Sequence, residues 1–179
     1  MIRIISSSLL IMLCVFANAQ NRDIDLLRNI NKNRSSTATR IFTLASNSVY
    51  IIPFAYPAIT FAVGKITKSS PLVQESFFSA ASLATAGLLS YSIKIIVKRP
   101  RPYITYPNQL IIDKASTTYS FPSGHTTFAF CTASSMALYY KKWYVAVPVY
   151  AWAGSVAFSR MYLGKHYPTD VIVGIILGT

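Results

Sequence analysis

The sequence predicts an all-α fold, an integral-membrane helical bundle of about five or six transmembrane helices. Three observations carry that expectation. Hydrophobic residues make up 53% of the 179-residue chain and charged residues 12%, about half the charged share of an ordinary soluble domain. The apolar residues gather into runs close to the ~20 residues that cross a hydrocarbon core. Cations stand at the ends of those runs, where they mark a cytoplasmic face or meet anionic headgroups.

Taken in order, residues 1–19 read as a secretory leader. Arg3 gives the basic start, residues 4–16 the apolar centre, and Ala17-Asn18-Ala19 a small-x-small cleavage site. An uncleaved anchor is the alternative, and either leaves Gln20 on the outer side. Residues 20–40 are polar around Ile24, Leu26, Leu27 and Ile30, the pattern of a short amphipathic helix lying on the membrane surface or of a solvated linker. The bundle domain then runs over residues 41–179. Residues 41–64 form a first span, kinked by Pro53 and Pro57 and closed by Lys65, Lys68 and Pro71. Residues 76–97 form a second, rich in Ala, Ser and Gly that let membrane helices approach closely. Residues 98–121 are a proline-containing loop, 123–140 a third span ending at Lys141-Lys142, 143–158 a fourth, and a fifth begins at Val171. The nine residues from there to Thr179 are too few to cross, so the last helix is expected to be truncated.

With Gln20 outside, Lys65, Lys68, Lys141 and Lys142 fall inside, as the positive-inside rule asks. Lys94, Lys98, Arg99, Arg101, Arg160 and Lys165 fall outside, against that rule. Tyr139, Tyr140, Trp143 and Tyr144 surround the inner turn as an interfacial belt.

The formal charge of +12 does not come from one surface run with interleaved polar residues, so nucleic acid is not an expected partner. Asp and Glu number five, too few to converge on a pair of metal ions near one site. No metal and no cofactor are expected. Cys131 is the one cysteine outside the leader and reads as a small apolar helix residue.

The residues that carry chemistry fall in three places. His166 and Asp170 are four apart, close to one face of a helix that starts near Pro168. There a carboxylate can orient an imidazole and stabilise its cation. Arg160, six residues before His166, adds a planar fork of donors suited to phosphate oxygens. His125, the other histidine, follows Pro122-Ser123-Gly124 at the start of the third span. There the free backbone N–H groups point at an anion, Gly124 allows close approach, and the Ser123 hydroxyl can donate. Lys94 and Arg101 are seven apart, two helical turns, and could face one spot. Lys98, Arg99 and Lys165 read as headgroup or solvent contacts.

Lys94 with six residues before Arg101-Pro102, then Pro122-Ser123-Gly124-His125, then Ser159-Arg160 with five residues before His166 and three more before Asp170, resembles the three-part signature of the type 2 phosphatidic acid phosphatase (PAP2) superfamily. The resemblance covers roughly residues 94–170. It implies a PAP2/haloperoxidase-like helical core and a membrane lipid phosphatase. It also implies a phosphate site at Lys94, Arg101, Ser123, Gly124 and Arg160, and attack on phosphorus by His166, held by Asp170, to give a phosphohistidine. His125 would protonate the leaving oxygen and then activate water. The residues favour the same division, because only His166 has a carboxylate at helical spacing.

A triad with Ser123 as nucleophile lacks the Gly-x-Ser-x-Gly elbow and leaves the cations without a purpose. The implied substrates are undecaprenyl pyrophosphate, phosphatidylglycerol phosphate, phosphatidic acid or a lipid A phosphate. The implied setting is the outer face of a bacterial inner membrane, with phosphorylated and bulk membrane lipids as partners and the oligomeric state unread. A secreted acid phosphatase, a vanadate haloperoxidase, a lipid phosphotransferase and a non-catalytic lipid binder are the competing readings. The long uncharged runs weigh against the first two and the intact histidines against the last.

Overall fold

The computed structural model describes residues 22–179; the leader assigned to residues 1–19 lies outside them. Every regular element among the described residues is helical: α1 (22–31), α2 (Ser36–Asn47) with a 3-10 turn (Ser48–Tyr50), α3 (Ile52–Ile66), α4 (Ser70–Val97), the short α5 (Pro102–Thr105), α6 (Gly124–Tyr140), α7 (Trp143–Tyr162) and α8 (Pro168–Gly178).

Prolines and caps set the boundaries. Ser35 caps α2 by accepting a hydrogen bond from Ala38 N–H at 3.1 Å, so residues 36–40, expected in the polar segment, are helical. The run 41–64 is not one helix. It breaks at the 3-10 turn, and α2 with its turn meets α3 at 46°, because Pro53 in the first turn of α3 has no N–H to continue the earlier ladder. Pro71 opens α4 rather than closing what precedes it, which lengthens that helix to 28 residues. α7 runs four residues beyond the expected end, so Arg160 stands in its last turn.

Helix α6 is the centre, packed against α3, α4, α7 and α8. Its buried face is small, with Thr126, Thr127, Ala129, Cys131, Thr132 and Ala133 among it, which brings neighbouring backbones close. Helix α8 uses this most. A Cβ on Gly174 would sit 2.8 Å from the Ser123 carbonyl oxygen, and one on Gly178 2.5 Å from that of Thr127. Asp170, Gly174 and Gly178 recur every four residues, so the face that presses on α6 carries Asp170 at its start. The Ser123 N–H accordingly donates to the Asp170 backbone oxygen at 3.0 Å.

The outer surface of the bundle is strongly apolar. Leu44, Ile51, Ile66, Leu88, Ile96 and Ile176 are among many large hydrophobic side chains left exposed, far more than a solvated monomer shows. By length and apolarity, one stretch among the described helices can cross a membrane, Ser70–Thr105, and the bent pair Ser36–Tyr50 and Ile52–Ile66 passes when counted together. Helix α6, with 17 residues and Thr and Ser inside, falls short of that measure. Trp143 and Tyr144, at the start of α7, are exposed.

The segment read as a surface amphipathic helix or a linker packs apolar residues onto the bundle. Ile24 and Leu27 of α1 are buried against Tyr167, with Tyr106, Leu110 and Met161 around them. Asn31 donates to the carbonyls of Tyr162 (2.8 Å) and Ile111 (3.0 Å).

Candidate active site

The C-terminal ends of α4 and α7 and the N-terminal ends of α6 and α8 meet at one end of the bundle, around a cavity of about 810 Å³, a volume typical of ligand sites. Lys94, Arg101, Gly124, His125, Arg160 and His166 all line it. Residues 72 positions apart in sequence therefore face one space.

Lys94, in the last turn of α4, donates to the carbonyls of Tyr119 (2.8 Å) and Pro122 (2.9 Å). Arg101 does not share a helical face with it, because α4 ends at Val97 and Lys98 turns left-handed at φ 50°. The chain then carries Arg101 to the cavity from the loop. Arg101 is 4% exposed, its guanidinium held by Thr118 O and Lys165 O at 2.8 and 2.9 Å and by the Thr118 hydroxyl at 2.9 Å. Arg160 is buried, donates to the Ser46 hydroxyl, and leaves Nε without a partner among the described residues. A buried guanidinium N–H with no acceptor has a hydrogen bond to offer an anion.

The turn after α7 explains the spacing of the third motif. Gly164 takes φ 68°, a conformation glycine adopts without strain, and packs tightly against Ile111 O and Asn31. The N–H groups of Lys165 and His166 return to Arg160 O at 2.9 and 3.3 Å, which swings the His166 ring back beside Arg101. His166 Nδ1 lies 2.7 Å from Ser120 O. A carbonyl only accepts, so Nδ1 carries the proton and Nε2 presents its lone pair, 3.3 Å from Arg101 Nη1. Asp170 Oδ2 is farther from Nδ1, at 3.5 Å. The main orienting acceptor is thus the Ser120 carbonyl, with the expected carboxylate behind it. Burial pushes the His166 pKa down to about 3, the Asp170 hydrogen bond opposing and Arg160 and Arg101 adding to the fall. The imidazole is therefore neutral, the form in which nitrogen is nucleophilic. Lys165, also lining the cavity, is lowered to about 8 by burial first and then by Arg160 and Arg101.

His125 stands in the first turn of α6, and its ring meets the Tyr50 ring edge-on, centroids 5.1 Å apart. Gly124 lines the cavity, and an added Cβ there would touch only Ser90 Oγ, at 3.9 Å. Ser123 is the exception among the expected phosphate ligands. It is fully buried as the N-cap of α6, its hydroxyl pairs with Thr126 Oγ1 at 2.9 Å, and it does not line the cavity.

A model of the PAP2 superfamily matches residues 76–179. The chain belongs to that superfamily. Over 98 residues this PAP2 chain is 36% identical to the undecaprenyl-diphosphatase BcrC of Bacillus subtilis, covering 52% of this chain and 49% of that one. The chain spans about half the length of curated relatives of this kind. The crystal structure of LpxE from Aquifex aeolicus superposes with a TM-score of 0.71 at 26% identity, covering 87% of this chain and 89% of that one. A transmembrane PAP2-type phosphatidylglycerolphosphate phosphatase from Bacillus subtilis superposes with a TM-score of 0.72 at 21% identity, covering 97% and 91%, a likeness of fold.

Several contacts at the PAP2 site lie beyond the signature residues. Arg99, read as a headgroup contact, turns inward to pair with Asp170 Oδ1 (2.7 Å) and Asp23 Oδ2 (2.8 Å). Lys165, read likewise, lines the cavity and donates to Lys114 O. Lys98 alone of those three is exposed. The double Arg-Pro of Arg99-Pro100-Arg101-Pro102 was the only signal for Arg99. Asp23 and Ser120 had none, being 147 and 50 residues from Asp170.

Proposed function

We propose that this protein is a membrane-embedded lipid phosphatase that removes phosphate from a lipid phosphate or diphosphate through a phosphohistidine, without a metal ion. The observation that carries the reading is the convergence of Lys94, Arg101 and Arg160 with two histidines on one cavity. Phosphoryl transfer needs charge neutralised on the equatorial oxygens, a nucleophile in line and a proton for the leaving oxygen.

The three cations and the α6 N-terminus, opened by Gly124, bind the phosphate. Its oxygens take over the donors of Arg101 and the unpartnered Nε of Arg160. Occupation of Arg101 Nη1 by phosphate frees the lone pair of His166 Nε2, which attacks phosphorus. As the N–P bond forms, positive charge develops on the ring, and Ser120 O and Asp170 on the Nδ1 side stabilise it. A proton taken up from solvent as the phosphate dianion binds charges His125; the P–O bond to the leaving group then breaks, and His125 gives that oxygen the proton. Neutral His125 then takes a proton from water, whose oxygen attacks the phosphohistidine and releases inorganic phosphate. Ser123 acts as a helix cap that fixes α6 against Asp170 rather than as a direct ligand.

The exposed apolar belt and the transmembrane relative support a membrane setting. Basic ends at Lys65, Lys68, Lys141 and Lys142 support an inner-membrane topology with the site facing outward. The diphosphatase relative supports an isoprenoid diphosphate among the substrates. The test is phosphate release by detergent-purified protein in EDTA across a lipid panel and a small soluble ester. Release from a lipid, lost in His166→Ala, is expected. Release only with added metal contradicts the mechanism, and release only from the soluble ester contradicts the lipid reading.

A further inference from the structure

Asp170 is wholly buried, and a buried carboxylate takes up a proton unless cations and donors compensate its charge. Its oxygens are divided between two tasks. Oδ2 accepts from the Ser120 hydroxyl and the Tyr167 N–H (2.9 Å), and is the oxygen near His166. Oδ1 accepts from Arg99 Nη1 at 2.7 Å. Among the described residues, Arg99 is the one Lys or Arg in ion-pair distance of Asp170. Lys94 from α4 and Arg101 from the loop face it at longer range, and His166 faces it from the α7–α8 turn.

Arg99 is itself held through both Nη atoms and one face. Nη1 also reaches the Thr169 hydroxyl at 2.7 Å, Nη2 reaches Asp23 at 2.8 Å, and the guanidinium lies 3.8 Å over the Tyr167 ring. Asp23 closes the circuit. Its carboxylate accepts from the Thr169 N–H at 3.0 Å, one of the free N–H groups at the start of α8, and from the Thr169 hydroxyl. One planar fork thus ties α1, the loop after α4 and the first turn of α8 to the carboxylate behind His166. A lysine could satisfy one of the two acids, not both with the stacking. Arg99 is not among the residues that line the cavity.

We infer that Arg99 is a positioning residue for the reaction, aiming the Asp170 carboxylate at His166, and that Asp23 couples helix α1 to that arrangement. The inference rests on the phosphatase reading for its consequence in turnover and on geometry for its consequence at His166. The alternative is a plain staple of α1 to α8.

Two variants separate them. Asp23→Asn loosens the staple and leaves the Arg99–Asp170 pair; Arg99→Gln removes both. Positioning predicts that Arg99→Gln lowers kcat by about 10²-fold, leaves KM within about twofold because no substrate contact is lost, and moves the acid limb of kcat/KM upward as Asp170 becomes easier to protonate. Asp23→Asn has a smaller effect and leaves the limb in place. A staple predicts similar losses in both variants with an unmoved limb.

The second readout needs no substrate. The chain has two histidines, so 15N-histidine spectra of untagged protein hold two imidazoles, which His125→Gln assigns. Wild-type His166 is expected neutral and protonated at Nδ1, and Arg99→Gln is expected to shift that Nδ1 signal. A folded Arg99→Gln with the wild-type His166 spectrum and acid limb overturns the inference. Should Arg99→Gln not fold, Arg99→Lys decides: intermediate kcat supports the inference, and wild-type kcat with a wild-type spectrum overturns it. Wild-type protein that releases no phosphate sinks the phosphatase reading instead, and the spectra still decide the positioning.

Discussion

The two ends of the bundle hold similar numbers of cations and treat them in opposite ways. At the end away from the cavity, Lys65, Lys68, Lys141 and Lys142 are exposed, and the Tyr56 hydroxyl donates to the buried Glu75 at 2.9 Å. At the other end, Arg101 and Arg160 are buried, Lys94 and Arg99 are half-buried, and each donates to a carbonyl, hydroxyl or carboxylate. Exposed cations cost little and can mark topology. Buried ones are expensive and persist only where a surrounding network over-determines them. The difference teaches that charge position alone does not locate a phosphate site. Charge held in place, with one N–H left open, does.

The largest expected break in this contrast is His166→Ala, which should lower turnover by about 10³-fold or more, as loss of a covalent nucleophile does, with the variant still folded by circular dichroism. His125→Gln comes next, with a loss of roughly 10²–10⁴-fold on an alkyl phosphate. That loss should shrink on p-nitrophenyl phosphate, whose leaving group needs no proton; equal losses on both esters would remove His125 from the acid role.

Gly174→Leu tests the packing that delivers Asp170. Side-chain atoms would enter where even a Cβ lies 2.8 Å from Ser123 O, and overpacking of this kind costs about 1–3 kcal/mol, read as a lower Tm. An unchanged Tm would mean that α8 does not rest on α6 as described.

Smaller still is the pH effect on stability. His166 has its folded pKa lowered from 6.5 to about 3 by burial, the Asp170 hydrogen bond opposing. Its stabilising contribution is present above 6.5 and is lost as pH falls toward 3, since the unfolded chain takes up a proton that the folded one refuses. The Tm of the wild type should fall over that window, and His166→Gln should flatten the fall. Lys141→Gln with Lys142→Gln, at the exposed end, should leave turnover within about twofold.

The signature cations and histidines were legible because each motif is short and its spacing is set by local geometry. Arg160 to His166 is one helix end plus one glycine turn, and His166 to Asp170 is the entry to α8. The helix limits were less legible where proline was concerned, since Pro71 reads the same as a terminator of one helix or an initiator of the next. What could not be read at all were contacts made by folding distant segments together. Asp23 meets Thr169 and Arg99 only because α1 packs against the start of α8. The Ser120 carbonyl accepts the Nδ1–H hydrogen bond only because the loop before α6 folds under His166. Ser123 differs in the other direction, since its place in the motif suggests a donor to phosphate, whereas its buried hydroxyl pairs with that of Thr126.

The central claim is that His166 Nε2 forms a bond to phosphorus in the cation-lined cavity. Rapid acid-free quenching of the enzyme during turnover of a 32P-labelled lipid diphosphate, followed by peptide mapping, tests it directly. Label that is stable to alkali, labile to acid and confined to the peptide containing His166 is the expected result. Label on Ser123, or label that persists in His166→Ala, would contradict it.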